Sequence, residues 1–315
     1  MTNFMLAFQV VFPMLVMIGV GILIRRVGLV DQPTARKIDN VNFWVFLPCL
    51  LFDNIYNTDP LQTFSPRTLG FAVAGFLVLL AGVVLIVPRL VKERERISVV
   101  CQGLTRASFV VFGITIAQHI YGEGNVGSAA LVSAVLVPIV NITSTTLLEY
   151  YRPTGSGRPD MKKLLLGIAR NPFIIASVLA LVLAALGCKL PSPVSGVITT
   201  MGRAGSPLSF VALGVALNFA GLRKNRRILT FVVLARMLLI PAVFLSAAIA
   251  MGFRGTELIA LSVLFASPTA AASFTAAQQM GGDGELAAQI VALTSILSIA
   301  TIFGMICLFQ ALALL

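Results

Sequence analysis

Charge is what this sequence has least of. Lys, Arg, Asp and Glu make up 11% of its 315 residues, against roughly 25% in an ordinary soluble domain. Hydrophobic residues make up 58%, and the mean hydropathy is +0.97. A water-soluble globule of that composition cannot cover its own surface with polar groups, which excludes a soluble enzyme, a disordered protein and a nucleic-acid-binding domain. There is one histidine, which leaves little for general-base chemistry. No H-E-x-x-H, G-x-S-x-G or P-loop is present. Cys49, Cys101, Cys188 and Cys307 lie in or beside apolar runs and fit neither a disulfide framework nor metal-ligand spacing. No catalytic residue, metal or cofactor is therefore expected. An intramembrane enzyme and a receptor or scaffold are the readings of a different class, and flux of a labelled solute into proteoliposomes separates them from a carrier.

What the sequence has is long apolar runs. Ten of them read as membrane spans, at about 4–24, 34–56, 68–91, 96–121, 125–150, 163–187, 193–221, 227–251, 255–280 and 285–314. They are expected to be helices, because lipid leaves an open strand's backbone unsatisfied. The first run leads into Arg25-Arg26 without a small-residue cleavage site, so it is expected to stay in the protein. The net charge of +11 is distributed by loop. Arg25, Arg26, Arg36 and Lys37 follow the first run, and Arg89, Lys92, Arg94 and Arg96 follow the third. Arg152, Arg158, Lys162, Lys163 and Arg170 follow the fifth, and Arg223, Lys224, Arg226 and Arg227 the seventh. The opposite loops hold only Arg67, Lys189 and Arg254. Basic residues stay on the cytoplasmic side, which predicts a multi-pass protein of the cytoplasmic membrane with both termini outside. The basicity is topological, and no nucleic-acid partner is expected.

Residues also recur at an offset of 159 or 160. Pro13 matches Pro172, Gly28 matches Gly187 and Pro48 matches Pro207. Ala117-Gln118 matches Ala277-Gln278, and Gly122-Glu123-Gly124 matches Gly282-Asp283-Gly284. The chain then divides into a first five-helix repeat (1–150), a cytoplasmic linker (151–162) and a second repeat (163–315). Five spans is an odd number, so the second repeat enters the membrane from the opposite face. Secondary transporters built this way bind substrate near the midplane, at discontinuous helices.

The ninth run carries such a discontinuity at its centre, Ala266-Ser267-Pro268-Thr269-Ala270-Ala271-Ala272-Ser273. A mid-helix proline removes one hydrogen bond and clashes with the preceding turn, and the freed carbonyls need protein, water or an ion. The counterpart in the fourth run is Ser108, within Thr105-Arg106-Ala107-Ser108-Phe109, followed by Gly113 and Thr115. Two broken helices facing each other present free N–H groups and positive dipole ends, which suit an anion; a proline kink used only for packing is the alternative. Arg106, Arg203 and Arg236 lie inside runs, where a charge costs at least about 2.5–3.5 kcal/mol. Arg106 is the candidate for binding a carboxylate or for capping broken-helix carbonyls. Arg203 either lines an entry path or snorkels, and Arg236 partners backbone carbonyls. Ser267, Pro268, Thr269 and Ser273 complete the site on the ninth run, with Thr105, Asn141, Arg203 and Gln278 as additional candidates. Asp39, Asp53, Glu149 and Glu257 fall near the ends of runs, which argues against an aspartate-pair cation antiporter. His119 is expected to be an interfacial residue, and a transported proton would ride on the substrate's own carboxyl.

These residues taken together resemble the auxin efflux carrier family of membrane transporters, in its bacterial branch. The resemblance runs from Pro13 through Arg25-Arg26-Val27-Gly28-Leu29, Phe46-Leu47-Pro48-Cys49-Leu50-Leu51-Phe52, Asn171-Pro172 and Gly205-Ser206-Pro207-Leu208. It is most specific from Ser267-Pro268-Thr269 through Gln278-Gln279-Met280-Gly281-Gly282-Asp283-Gly284-Glu285-Leu286-Ala287. It implies an all-α fold of ten helices in two inverted repeats, with broken helices four and nine crossing. It also implies elevator-like movement of a transport unit (helices three to five and eight to ten) against a scaffold (helices one, two, six and seven). The family's substrates are small carboxylates such as malate and malonate, or auxin in plants, and plant members form homodimers. The sequence departs from the family in the fourth run, where Ser108 and Gly113-Ile114-Thr115 stand in place of asparagine and Gly-x-Pro. The expected function is secondary transport of a small organic anion, proton-linked or uniport, with a sodium-coupled organic-anion symporter of related fold as the alternative.

Overall fold

A computed structural model describes residues 2–57, 65–108, 127–152 and 161–315. Gly113, Thr115, His119, the Gly122-Glu123-Gly124 match and most of the linker lie outside the described residues. Among those described the protein is helical, with no strand. Pro66–Leu90, Gly221–Ala250 and Gly284–Ala311 are each long and apolar enough to cross a membrane.

Helix α1 spans Thr2–Arg26 and runs through Pro13 without interruption. Helix α2 (Gln32–Val41), a π-helical turn (Asn42–Phe46) and α3 (Leu47–Tyr56) follow end to end. Asp31 starts α2 by accepting the N–H of Thr34 at 2.9 Å. The Thr34 hydroxyl and N–H hold the Asp31 carboxyl below its ordinary range. Next come α4 (Pro66–Leu90), α5 (Arg94–Thr105) and α6 (Gly127–Tyr150). The predicted span 163–187 is two helices, α7 (Met161–Ala169) and α8 (Pro172–Ala185). Asn171 accepts the N–H of Phe173 at 2.9 Å, and with Pro172 it restarts the helix there.

Helix α9 covers Ser192–Ala216, and α10 (Phe219–Leu234) continues through a second π-helical turn (Ala235–Leu239) into α11 (Ile240–Ala250). The basic run Arg223–Arg227, expected in a loop, forms the early turns of α10. Lys and Arg are good helix formers, so the helix extends past its apolar part. Each π turn lies just before a proline, Pro48 or Pro241. A proline ring clashes with the carbonyl four residues back, and a widened turn relieves the clash. Helices α12 (Gly255–Ala266), α13 (Ala272–Gln279) and α14 (Gly284–Ala311) complete the chain.

Close packing fixes the frame around these helices. Helix α1 lies on α9 through facing glycines: a Cβ on Gly21 would collide with the Val211 carbonyl, and one on Gly214 with the Ile18 carbonyl. Such small-residue contacts let helix backbones approach in lipid. Arg25 Nη1 then donates to the Val215 and Leu217 carbonyls at 3.0 and 3.1 Å, closing the end of α9.

Candidate functional site

The fourth and ninth spans both stop halfway. Helix α5 ends at Thr105, and Arg106 turns extended at φ −88°, ψ 92°. Helix α12 ends at Ala266, and Ser267 is extended at φ −72°, ψ 155°. The two unwound stretches meet in a single antiparallel bridge, Ala107 opposite Thr269. The Ser108 N–H donates to the Pro268 carbonyl at 3.1 Å, and the Ala270 N–H donates to the Arg106 carbonyl at 3.1 Å. Ser108 and Pro268, paired at an offset of 160 in the sequence, are therefore direct partners.

Most of the backbone groups freed by the breaks find protein partners. Arg236, on the second π turn, is fully buried. Its Nη1 donates to the Leu104 carbonyl at 3.0 Å, its Nε to Ser267 at 3.0 Å and its Nη2 to Leu264 at 3.3 Å. One guanidinium thus closes the C-terminal ends of α5 and α12 together, where a cation also opposes both helix dipoles. Thr269 donates its hydroxyl to the Gly103 carbonyl at 2.8 Å and accepts no role at the cavity. Its N–H donates to Thr294 Oγ1 at 3.3 Å. The carbonyls freed at the C-terminal ends are thus met by protein, with Arg236 on the backbone carbonyls as expected and Thr269 on a further one.

The N-terminal end of α13 is different. The N–H groups of Ser273 and Phe274 donate to the Ala270 and Ala271 carbonyls. Those of Ala271 and Ala272 make no hydrogen bond among the described residues, and both alanines line a cavity of about 80 Å³. Arg106, Ser108 and Asn141 line the same cavity, with Asn54 from α3 and Ser206 and Phe210 from α9. Arg106 is buried, and its Nη2 donates to Asn141 Oδ1 at 2.7 Å. Its Nη1 makes two longer bonds, to Gln102 Oε1 at 3.4 Å and the Ala272 carbonyl at 3.3 Å. The guanidinium carbon stands 5.4 Å from the centre of the Phe173 ring. The cavity wall is mostly apolar, from residues such as Leu50, Leu51, Val137, Val140 and Phe210, with an arginine, two amides, two hydroxyls and a helix start set into it; groups of this kind suit an anion.

The sequence-based candidates divide accordingly. Arg106, Ser108 and Asn141 come together at the cavity. Pro268 and Thr269 form the crossing, but Thr269 spends its hydroxyl on a carbonyl. Ser267 and Ser273 are buried beside the break with hydroxyl oxygens that have no partner, and neither lines this cavity. Thr105 donates back to the Cys101 carbonyl at 2.8 Å. Arg203 is exposed on α9, away from the lining. Gln278 faces a separate polar cavity of about 390 Å³. Sequence reasoning missed Ser206 and the alanines 270–272, whose contribution is backbone or position and leaves no mark in composition. It placed Asp39 near a span end without foreseeing that Asp39 is fully buried where α9 and α13 pack over α2.

The chain matches the family described as "Membrane transport protein" over residues 6–306. It is 25% identical over 314 residues to a protein of Rhizobium meliloti named "Putative malonate transporter", with 96% of each chain covered. It is 26% identical over 308 residues to a protein of Methanothermobacter thermautotrophicus named "Uncharacterized transporter", covering 95% of this chain and 97% of that one. A crossing of two interrupted helices over a cavity, in a chain matched almost end to end, leads to one conclusion: the protein belongs to the auxin efflux carrier family of membrane transporters.

Proposed function

We propose that the protein is a secondary carrier of a small organic anion, a mono- or dicarboxylate, across the cytoplasmic membrane. The observation that carries this reading is that a buried Arg106 shares one cavity with the N–H groups of Ala271 and Ala272, which make no hydrogen bond among the described residues. One carboxylate would bond the guanidinium, and the start of α13 would hold a second charge. A cavity of about 80 Å³ has room for several waters, which favours a short-chain acid. The name of the Rhizobium meliloti relative points to the same chemical class.

The rest of the proposal is architectural. Ten spans form two inverted five-helix repeats, with both termini extracytoplasmic. Helices three to five and eight to ten move as a unit against a scaffold of helices one, two, six and seven, and the scaffold supplies the surface for a homodimer. Alternating access follows from exchange between two arrangements of the repeats, each binding the anion from one side. Transport is proton-linked or uniport.

The test is uptake of labelled malonate by proteoliposomes under an imposed pH gradient. Accumulation by the wild type and its loss in Arg106→Ala, with normal insertion of the variant, is the expected result. Unchanged uptake in the variant removes Arg106 from the site. Replacement of sodium by choline at fixed pH should leave uptake intact; its loss would instead make the protein a sodium symporter. A thermal-shift screen against a carboxylate panel identifies the preferred anion, since a ligand bound only to the native state raises apparent stability.

A further inference from the structure

Among the described residues Asp39 is the one acidic side chain that is fully buried. Its Oδ1 accepts from Thr275 Oγ1 at 2.7 Å, and its Oδ2 from Gln278 Nε2 at 3.3 Å and Gln279 Nε2 at 3.5 Å. All three donors belong to α13, the half-helix whose other end faces the Arg106 cavity. The Thr275 hydroxyl lies 3.1 Å from Ser209 Oγ on α9. Ser209 accepts from Asn42 Nδ2 at 2.9 Å, and Asn42 also donates to the Gly205 carbonyl at 3.1 Å.

This network lies between two cavities. On one side, Gln278 lines the 390 Å³ cavity together with Arg36, Asn218, Asp283 and Glu285. On the other, Ser206, three residues before Ser209 on α9, lines the Arg106 cavity. The charged groups near Asp39 leave it without an ionic partner among the described residues. Helix α13 and the π turn Asn42–Phe46 carry no charged residue, and α9 carries only the exposed Arg203. On α2 itself, Arg36 and Lys37 are exposed. Arg36 offers its backbone carbonyl to Gln279, at 3.4 Å. Asp283, in the adjoining cavity, is paired with Arg96 at 3.0 Å. A carboxylate held away from water with only neutral donors is costly and marks a working group in a membrane protein. Its bonds to α13 are charge-assisted and about twice as strong as neutral ones, so loss of the charge loosens α13 from α2.

We propose that Asp39 is the proton-binding site that couples anion transport to the proton gradient, acting as a latch between α2 and α13. A proton from the polar cavity adds to the carboxylate and forms the neutral acid; nothing else is made or broken but hydrogen bonds. Protonation frees α13 to move with the anion; α2 stays with the scaffold, so Asp39 opens to the far side as α13 leaves, releases its proton there, and the latch re-forms when α13 returns. This inference rests on the carrier reading above.

Proteoliposomes test it with two assays on the wild type and Asp39→Asn, which keeps the shape and removes the proton site. Exchange of labelled for unlabelled malonate at equal pH requires no net proton movement, whereas accumulation against a pH gradient does. The expected result is accumulation reduced about tenfold or more, with exchange within about threefold of the wild type. Gradient-driven accumulation retained by Asp39→Asn overturns the proposal, as does loss of both activities in a variant with unchanged thermal stability. A wild type that carries malonate with no response to pH also overturns it while leaving the carrier reading standing. A wild type that neither exchanges nor accumulates malonate defeats the carrier reading itself. Should Asp39→Asn fail to insert, labelling of the wild type by a hydrophobic carbodiimide, which attacks protonated carboxyls, decides the matter. Modification of Asp39 that falls as pH rises supports the site, and none at any pH refutes it.

Discussion

Two buried arginines serve the same pair of helix breaks in opposite ways. Arg236 places each of its three nitrogens on a backbone carbonyl, drawn from both breaks. Arg106 has one short bond, to Asn141, two longer ones, and an Nε that makes none among the described residues. Arg236 lines no part of the 80 Å³ cavity, and Arg106 is one of its walls. A guanidinium has five N–H donors in a rigid fork. Each of the two makes three hydrogen bonds; all three of Arg236 go to helix-end carbonyls, whereas those of Arg106 go to two side-chain amides and one carbonyl at the edge of a cavity.

The largest effect that would break this contrast lies at Arg236. Arg236→Leu orphans the carbonyls of Leu104, Leu264 and Ser267 and should cost on the order of 3–5 kcal/mol of stability. Thermal unfolding in detergent and recovery of monodisperse protein measure it; wild-type behaviour would place Arg236 with Arg106 as a dispensable charge. Arg106→Ala should cost only about 1–2 kcal/mol in the same unfolding assay while nearly abolishing malonate uptake. If stability collapses along with uptake, the two arginines do one job and the distinction fails. Pro268→Ala comes next: rewinding the ninth helix should slow transport more than it lowers expression, and equal falls would reduce the proline to packing. The smallest effects sharpen the comparison between hydroxyls at the same break. Thr269→Val loses the bond to the Gly103 carbonyl and should cost about 1 kcal/mol. Ser273→Ala removes an oxygen that has no partner and should stay within about 0.5 kcal/mol of the wild type.

The breaks themselves were legible because proline and an intramembrane arginine leave marks that lipid makes unambiguous. Pro268 cannot continue a hydrogen-bonded helix, and a charge at Arg106 or Arg236 has to be answered by something. The offset of 160 matched Ser108 to Pro268, and the two meet in a hydrogen bond. The same reading gave no sign of partners that are distant in the chain. Thr269 looked like a ligand until Gly103, far away in sequence, took its hydroxyl. Arg203 sits among small residues in an apolar run, yet its face of α9 is the exposed one. Asp39 was read only as lying near a span end, with no sign of its burial. Its burial is imposed by α13 arriving from the other end of the chain.

By itself the sequence determined the solvent, the helical class and where helices cannot continue. These follow from local chemistry: apolar runs demand closed backbone hydrogen bonding in lipid, and proline denies one of those bonds. Only the tertiary structure decided which polar groups are consumed and which are left over. That depends on whether a partner arrives within about 3 Å, and Arg236, Arg106 and Asp39 acquire different meanings from neighbours that no local pattern names.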